Sequence, residues 1–255
     1  AAFFGLGAYA GAIVQKAGLA APLAWGFGGL VAATFAVLLG LALLRLRGHY
    51  FAIASLVVAE VLREITNAAT ELTGGGMGFN LPVAKMAVDD AARTYYLAML
   101  ALAAITFAAS VWVTHSRLGF GLRCIRQNES AADMIGVHST GYKIAAFGLS
   151  AIFVGAAGAL YATWVNYIEP PDVFDVLYAV KPIVMVLLGG AGSVFGPIIG
   201  AALFLALEEL VWRNYLLVHT GVLGLLIVVL VLFLPKGLLS LRMRRVQSVQ
   251  RVSAT

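Results

Sequence analysis

The 255 residues are 62% hydrophobic and only 11% charged, with a formal net charge of +5 and a mean hydropathy of +0.95. A soluble domain carries about a quarter charged residues, so the composition excludes an ordinary water-soluble fold and points to a polytopic membrane protein. The basic excess does not mark a nucleic-acid partner. Lys and Arg stand at the ends of apolar runs, where membrane topology places them, and not in a patch with interleaved aromatics.

The chain opens inside an apolar run, AAFFGLGAYAGAIV, with neither a basic n-region nor a cleavage site. It is therefore not read as a signal peptide, and a preceding N-terminal segment is expected. A crossing helix needs about 20 apolar residues. In chain order the segments are a truncated 3–15, then 19–44, 50–69 (which ends polar), 94–114 and 143–165. A Gly-interrupted pair follows, 178–190 and 194–212, and then 215–234. The fold class is all-α, a transmembrane helical bundle of about eight crossings. Residues 178–190 are short for a full span and leave open a broken or re-entrant helix, which a bilayer tolerates only where protein or water shields the backbone. The domain reading is one transmembrane domain over 1–240, with a polar insert at about 115–142, and a basic tail over 241–255.

Orientation follows from the basic residues. Placing the tail with Lys236, Arg242, Arg244, Arg245 and Arg251 in the cytoplasm also brings Arg45, Arg47, Arg117, Arg123, Arg126 and Lys143 inside. Glu71, Asp89, Asp90, Glu169, Asp172 and Asp175 then fall outside, so the acidic bias agrees. The stretch GLRCIRQNESAADMIG is thereby placed on the cytoplasmic side. Its single cysteine, Cys124, excludes an intrachain disulfide.

Small residues recur at every fourth position: Ala151, Gly155, Ala159 and Thr163, then Gly192, Gly196 and Gly200, with Gly7 and Gly11 near the start. Such stripes let helix backbones approach closely in lipid. In the third segment Glu60, Arg63, Glu64, Asn67 and Glu71 are spaced three or four apart and share one helix face. With a rise of about 1.5 Å per residue, Glu60 lies roughly 15 Å from the cytoplasmic end, near mid-membrane. An ionisable group there costs at least about 2.5 kcal/mol and faces a cavity or a partner. Two readings stay open for Glu60, Arg63, Glu64 and Asn67: a structural ion pair within the bundle, or a wall of an aqueous pathway. Lys181, Glu208, Glu209 and Arg213 fall near the outer ends of their segments, where snorkelling or ion pairing is the default. The outer loops TGGGMGFN and NYIEPPDVFDV suit either flexible connection or docking of an outside partner.

Within the insert, Leu118, Leu122 and Ile125 give one apolar helix face, with Arg123, Arg126 and Gln127 largely off it. Asn128 is an N-cap for a second short helix, Gly136 a stop, and Ser139 or Thr140 a cap for the next membrane helix. Two short helices at an angle, in a loop longer than a connector requires, form a docking element for another protein. The segment GLRCIRQNESAADMIGVHSTGYKIAAFGLSAIFVGAAGALYA resembles the coupling segment and following helix of bacterial branched-chain amino acid ABC transporter permeases of the M type. FFGLGAYAGA, RGHYFAIASLVVAEVLREI, LLGGAGSVFGPIIGAALFLALEEL and LFLPKGLL resemble further stretches of the same family. The resemblance implies a subunit that pairs with a second, homologous permease, two cytoplasmic ATPase subunits and a periplasmic substrate-binding protein. It implies a multi-pass chain in the lipid of the bacterial inner membrane. Carried over by position, Arg123, Ile125, Arg126, Asn128, Glu129, Ala132 and Gly136 match the coupling pattern, and Cys124 stands where a small residue is expected. Gly155, Ala159, Gly192, Gly196 and Gly200 are the helix-packing set.

No phosphate loop, HExxH, CxxC or GxSxG motif occurs, so no catalytic or metal-ligating residue is assigned. No cofactor is expected in this chain, with ATP and Mg on the partner subunits. His49, His115, His138 and His219 are scattered singly near segment ends. The implied substrates are leucine, isoleucine and valine. Rival readings are a urea or short-amide permease of the same family, an ion-coupled secondary transporter, and a scaffold subunit with no pathway of its own.

Overall fold

Every backbone N–H and C=O in hydrocarbon has to be satisfied within the chain, and a helix does this segment by segment. The computed structural model describes residues 1–46, 48–82 and 87–214, and the contacts divide the chain into two compact units, Ala1–Tyr178 and Ala179–Thr255. The first unit holds α1 (Ala2–Lys16), α2 (Ala21–Leu43), α3 (His49–Ala68) and the single turn α4 (Thr70–Thr73). A short strand β1 (Phe79–Asn80) precedes α5 (Val88–His115), and the insert forms α6 (Arg117–Gln127) and α7 (Glu129–Met134). Then come α8 (Ser139–Val165), β2 (Tyr167–Ile168) and α9 (Pro170–Val173). Next, α10 (Leu177–Gly189) leads into the second unit, where α11 (Gly196–Asn214) follows.

A helix lies at each predicted crossing within the described residues. The eighth segment, 215–234, and the basic tail lie outside them, as do Arg47 and Lys85. Among the described residues, three helices are long and apolar enough to cross a membrane: α2, α5 and α8. By contrast, α1 and α10 are 15 and 13 residues long, and α3 and α11 each carry three charged residues. At 1.5 Å per residue, α10 covers about 20 Å of a hydrocarbon core of about 30 Å.

The centre of the first unit is the triple contact of α1, α2 and α8, and small residues make it possible. A Cβ on Gly28 would sit 2.6 Å from the Gly7 carbonyl oxygen and 2.8 Å from the Ala159 Cβ, and one on Gly155 would strike Ala32. Only glycine permits backbones this close. Ala151 and Ala159 are fully buried and Thr163 nearly so. The register of these contacts sets α1 parallel to α8 and α2 antiparallel to it. Gly40 meets Ile144 and Phe147, while Trp25 meets Thr163 at the opposite end. The buried face of α3, Ala59 and Leu62, packs towards α1, where Tyr9, Phe79, Ile168, Val173 and Phe174 close the end of the unit remote from the insert.

At that end the Gly-rich loop is shaped by positive φ at Gly74 (75°), Gly75 (57°) and Gly78 (75°), a conformation glycine adopts at little steric cost. It delivers Phe79 and Asn80 into an antiparallel pairing with Ile168 and Tyr167. The two outer loops singled out in the sequence are thus joined by main-chain hydrogen bonds. In the second unit α10 and α11 form an antiparallel hairpin around Val184, Leu188 and Phe204. Lys181 on α10 and Glu208 on α11 form an ion pair at 2.6 Å.

The packing glycines divide. Gly196 and Gly200 lie against Gly190, Gly189 and Met185, whereas Gly192 sits in the turn with open space where a Cβ would point. The third member of that contact is Gly189, because the turn over 190–195 takes Gly192 off the helical register.

Candidate functional site

The insert between α5 and α8 is built by capping. Ser116 starts α6: its hydroxyl donates to the Val113 carbonyl (2.8 Å) and accepts from the Gly119 amide (3.3 Å). Gly119 is needed at this corner because a Cβ there would collide with Val113. Asn128 ends α6 with an extended backbone and begins α7, its Oδ1 accepting from the Ala131 amide at 3.1 Å. Gly136, at φ 86°, terminates α7.

Neither Ser139 nor Thr140 caps α8 in the expected way. Ser139 is the first helical residue, and the cap is the Asp133 carboxylate, whose Oδ1 accepts from the Ser139 amide (3.1 Å) and hydroxyl (2.6 Å). A carboxylate from the preceding helix outcompetes a hydroxyl because its bonds are charge-assisted. These two hydrogen bonds hold the Asp133 carboxyl below its ordinary range. Beside them, Lys143 Nζ stands 2.6 Å from Glu129 Oε1.

The faces of the insert are distinct. Leu118, Leu122 and Ile125 are half-buried, Ala132 is buried, and Gly121 lies beneath the Tyr142 ring. Arg123 and Arg126 are exposed, as are Phe120, Ile135 (70%) and Met134 (82%). Large apolar side chains and arginines left exposed on so short an insert are the residue types that interaction surfaces use.

The second candidate region is the polar arc of α3. Arg63 pairs with Glu60 and reaches Glu64 at 3.3 Å. The three side chains are 37%, 55% and 61% exposed in the order Arg63, Glu60, Glu64, and Asn67 is exposed as well. With 3.6 residues per turn, this arc is centred about 120° round α3 from the face of Ala59 and Leu62, with Arg63 at its near edge. The pair is therefore not buried in the interior of this chain.

Over residues 1–234 the sequence matches the family described as branched-chain amino acid transport system, permease component. The chain belongs to that permease family. High-affinity branched-chain amino acid transport system permease protein LivM of Salmonella typhimurium, and its counterpart in Escherichia coli, are each 30% identical to it over 264 residues. Each alignment takes in 93% of this chain and 62% of the relative. A probable branched-chain amino acid transport permease protein LivM of Methanocaldococcus jannaschii is 23% identical over 215 residues, 76% of this chain and 61% of that protein. The chain thus spans about three-fifths of the length of these relatives. No solved structure matches it.

For this permease, the structure brings the seven insert residues named from sequence into one compact corner, with Arg123 and Arg126 displayed and Ala132 inside. It sets the α3 residues apart from them. Sequence reasoning passed over Asp133, Ser139 as its partner, and Lys143. The available signal was an acid just ahead of a glycine stop and a Ser-Thr helix start, together with the four-residue spacing of both Glu129/Asp133 and Ser139/Lys143.

Proposed function

We propose that this chain is the membrane-spanning subunit of an ATP-driven importer that carries leucine, isoleucine and valine across the bacterial inner membrane. In this reading it works by alternating access with a second, homologous permease. Two cytoplasmic ATPase subunits bind ATP and Mg, and a periplasmic binding protein delivers substrate. The observation that carries the reading is the insert: two capped helices, each too short to stand alone, expose Phe120, Met134 and Ile135 together with Arg123 and Arg126. Helices of 11 and 6 residues held this firmly suit a rigid knob that enters a groove on an ATPase. The 30%-identical relatives, high-affinity branched-chain amino acid transport permeases by name, support the substrate class.

The arc of Glu60, Arg63, Glu64 and Asn67 belongs in this reading to the pathway side of the subunit. An ion pair on an outward face at mid-membrane cannot rest against lipid without a cost of at least about 2.5 kcal/mol per ionisable group, and a watery cleft shared with the partner permease removes that cost.

The test uses Cys124, half-buried on α6. The complete permease is expressed with its neighbouring ATPase subunits, and a short thiol crosslinker is applied to membranes. A crosslink to an ATPase that changes on adding ATP, with ATP-dependent uptake of leucine, is the expected result. Uptake of urea in place of leucine would reassign the substrate. Gradient-driven uptake without the ATPases would overturn the importer reading, as would labelling of Cys124 from the periplasm.

A further inference from the structure

Two side-chain bridges join α7 to the start of α8, and they form a ladder. Glu129 and Asp133 are four apart on α7, and their partners Lys143 and Ser139 are four apart on α8. One rung is the Glu129–Lys143 ion pair at 2.6 Å, and the other is the paired bond from Ser139 to Asp133 Oδ1 at 2.6 and 3.1 Å. A single contact fixes a position and leaves a pivot. Two rungs one helical turn apart on each helix also fix the angle between the helices.

The two membrane helices attached to the insert differ sharply. None of the most apolar stretch of α5 is buried, and α5 meets the insert through the Ser116 corner. The other helix, α8, is wedged between α1 and α2 through backbone-close contacts at Gly155 and Gly158, and its far end continues into β2. Displacement of α8 therefore moves three helices and the paired outer loops together, because close-packed interiors transmit strain.

We propose that Asp133, Glu129 and Lys143 are positioning residues that bolt α7 to α8, making α8 the element that carries movement of the insert into the membrane bundle. This rests on the coupling role proposed above. The ladder converts engagement of the knob into tilt of α8, and α5 follows through its corner. Losing a rung lets α7 swing while α8 stays behind, so ATP is hydrolysed without a matching stroke.

The experiment reconstitutes the complete permease with its ATPase subunits, partner permease and binding protein in liposomes, and reads leucine uptake and ATP hydrolysis in the same vesicles. Lys143→Glu alone is expected to lower uptake per ATP about fivefold, the factor appropriate to a half-exposed ion pair, and Glu129→Lys with Lys143→Glu to restore most of it. Asp133→Ala is expected to lower the same ratio, and Asp133→Asn, which keeps an acceptor for Ser139, to recover it. An unchanged ratio in Lys143→Glu and Asp133→Ala would overturn the proposal. So would parallel loss of uptake and hydrolysis that neither the swap nor Asp133→Asn rescues, because that is loss of structure. Failure of the coupling reading itself is distinguishable: the unaltered chain would then neither retain the ATPases nor take up leucine when ATP is supplied.

Discussion

The indole N–H of Trp25 on α2 donates to the hydroxyl of Thr163 on α8 at 3.0 Å, across 138 positions of sequence. The Thr163 proton in turn has the Gln15 side-chain oxygen (2.9 Å) and the Ala159 carbonyl (2.8 Å) within reach. Three helices that pack through small residues are thus registered by one buried polar knot at the end remote from the insert. Thr163→Val keeps the shape and removes the hydroxyl, so it is expected to cost about 1 kcal/mol, the scale of interhelical hydrogen bonds in membranes. Thermal unfolding of the complete chain in detergent should show a lowered midpoint. Adding Trp25→Phe should lower it by much less than the sum of the two single effects, and strictly additive losses would show that the two groups are not partners.

The glycines of the second unit make a sharper prediction because two members of the same every-fourth-residue stripe should behave oppositely. A Cβ at Gly200 meets the Met185 and Gly189 backbones, which cannot rotate aside, whereas a Cβ at Gly192 meets nothing within 4 Å. Gly200→Ala is expected to destabilise by about 1–3 kcal/mol, as overpacking does. Gly192→Ala should stay within about 0.5 kcal/mol of the parent. The check is the detergent melting midpoint of the two variants side by side, and equal effects would contradict the hairpin packing described here.

Helix positions were legible because hydrophobic run length is a strong and local signal, and the small-xxx-small spacing of α8 named the residues that meet α1 and α2. Contacts that join distant positions were less legible. The β1–β2 pairing engages only Phe79, Asn80, Tyr167 and Ile168, too few to leave an alternating pattern. Its sequence trace is the glycine run that frees the loop to turn. The Asp133–Ser139 cap was missed for a related reason: a residue that could cap its own helix looks sufficient until a charged acceptor is seen six positions upstream. The exposed setting of Glu60 and Arg63 is also beyond sequence, since spacing reveals that residues share a face and not what that face meets.

Protonation of Asp133 gives a pH prediction with a definite sign. Its carboxyl is held below its ordinary value by the Ser139 hydroxyl and then by the Ser139 amide. A depressed folded value means that the stabilisation is complete above the unfolded carboxylate value of about 3.9 and is lost as pH falls through the lower, folded value. Amide exchange at Ser139 and along α7, followed by mass spectrometry, should therefore stay slow from neutral pH down to about 4. Below that it should show excess opening once the intrinsic pH dependence of exchange is removed. In Ser139→Ala the opening of α7 should begin at higher pH. Opening that begins well above that window in the parent chain would argue against the carboxylate cap.

The arc on α3 separates stability from transport, because Arg63 has two carboxylates. Glu60→Gln and Glu60→Ala both leave Arg63 with Glu64 at 3.3 Å, and a pair this exposed contributes about 0–1 kcal/mol. Either single change is therefore expected to leave assembly and melting almost untouched. If the arc lines the pathway for a zwitterionic substrate, leucine uptake should drop in both, with Gln retaining more than Ala because it keeps a polar acceptor. If instead the arc faces apolar surroundings, removing Glu64 as well strands Arg63 near mid-membrane, at a cost of about 2.5–3.5 kcal/mol by insertion scales, so Glu60→Ala with Glu64→Ala should then lose assembly too. Full transport by Glu60→Ala would take this face out of the pathway. Loss of assembly by Glu60→Gln would make the ion pair a structural element of the interface with a neighbouring subunit. The order of severity among the three variants thus decides what α3 turns outward to meet.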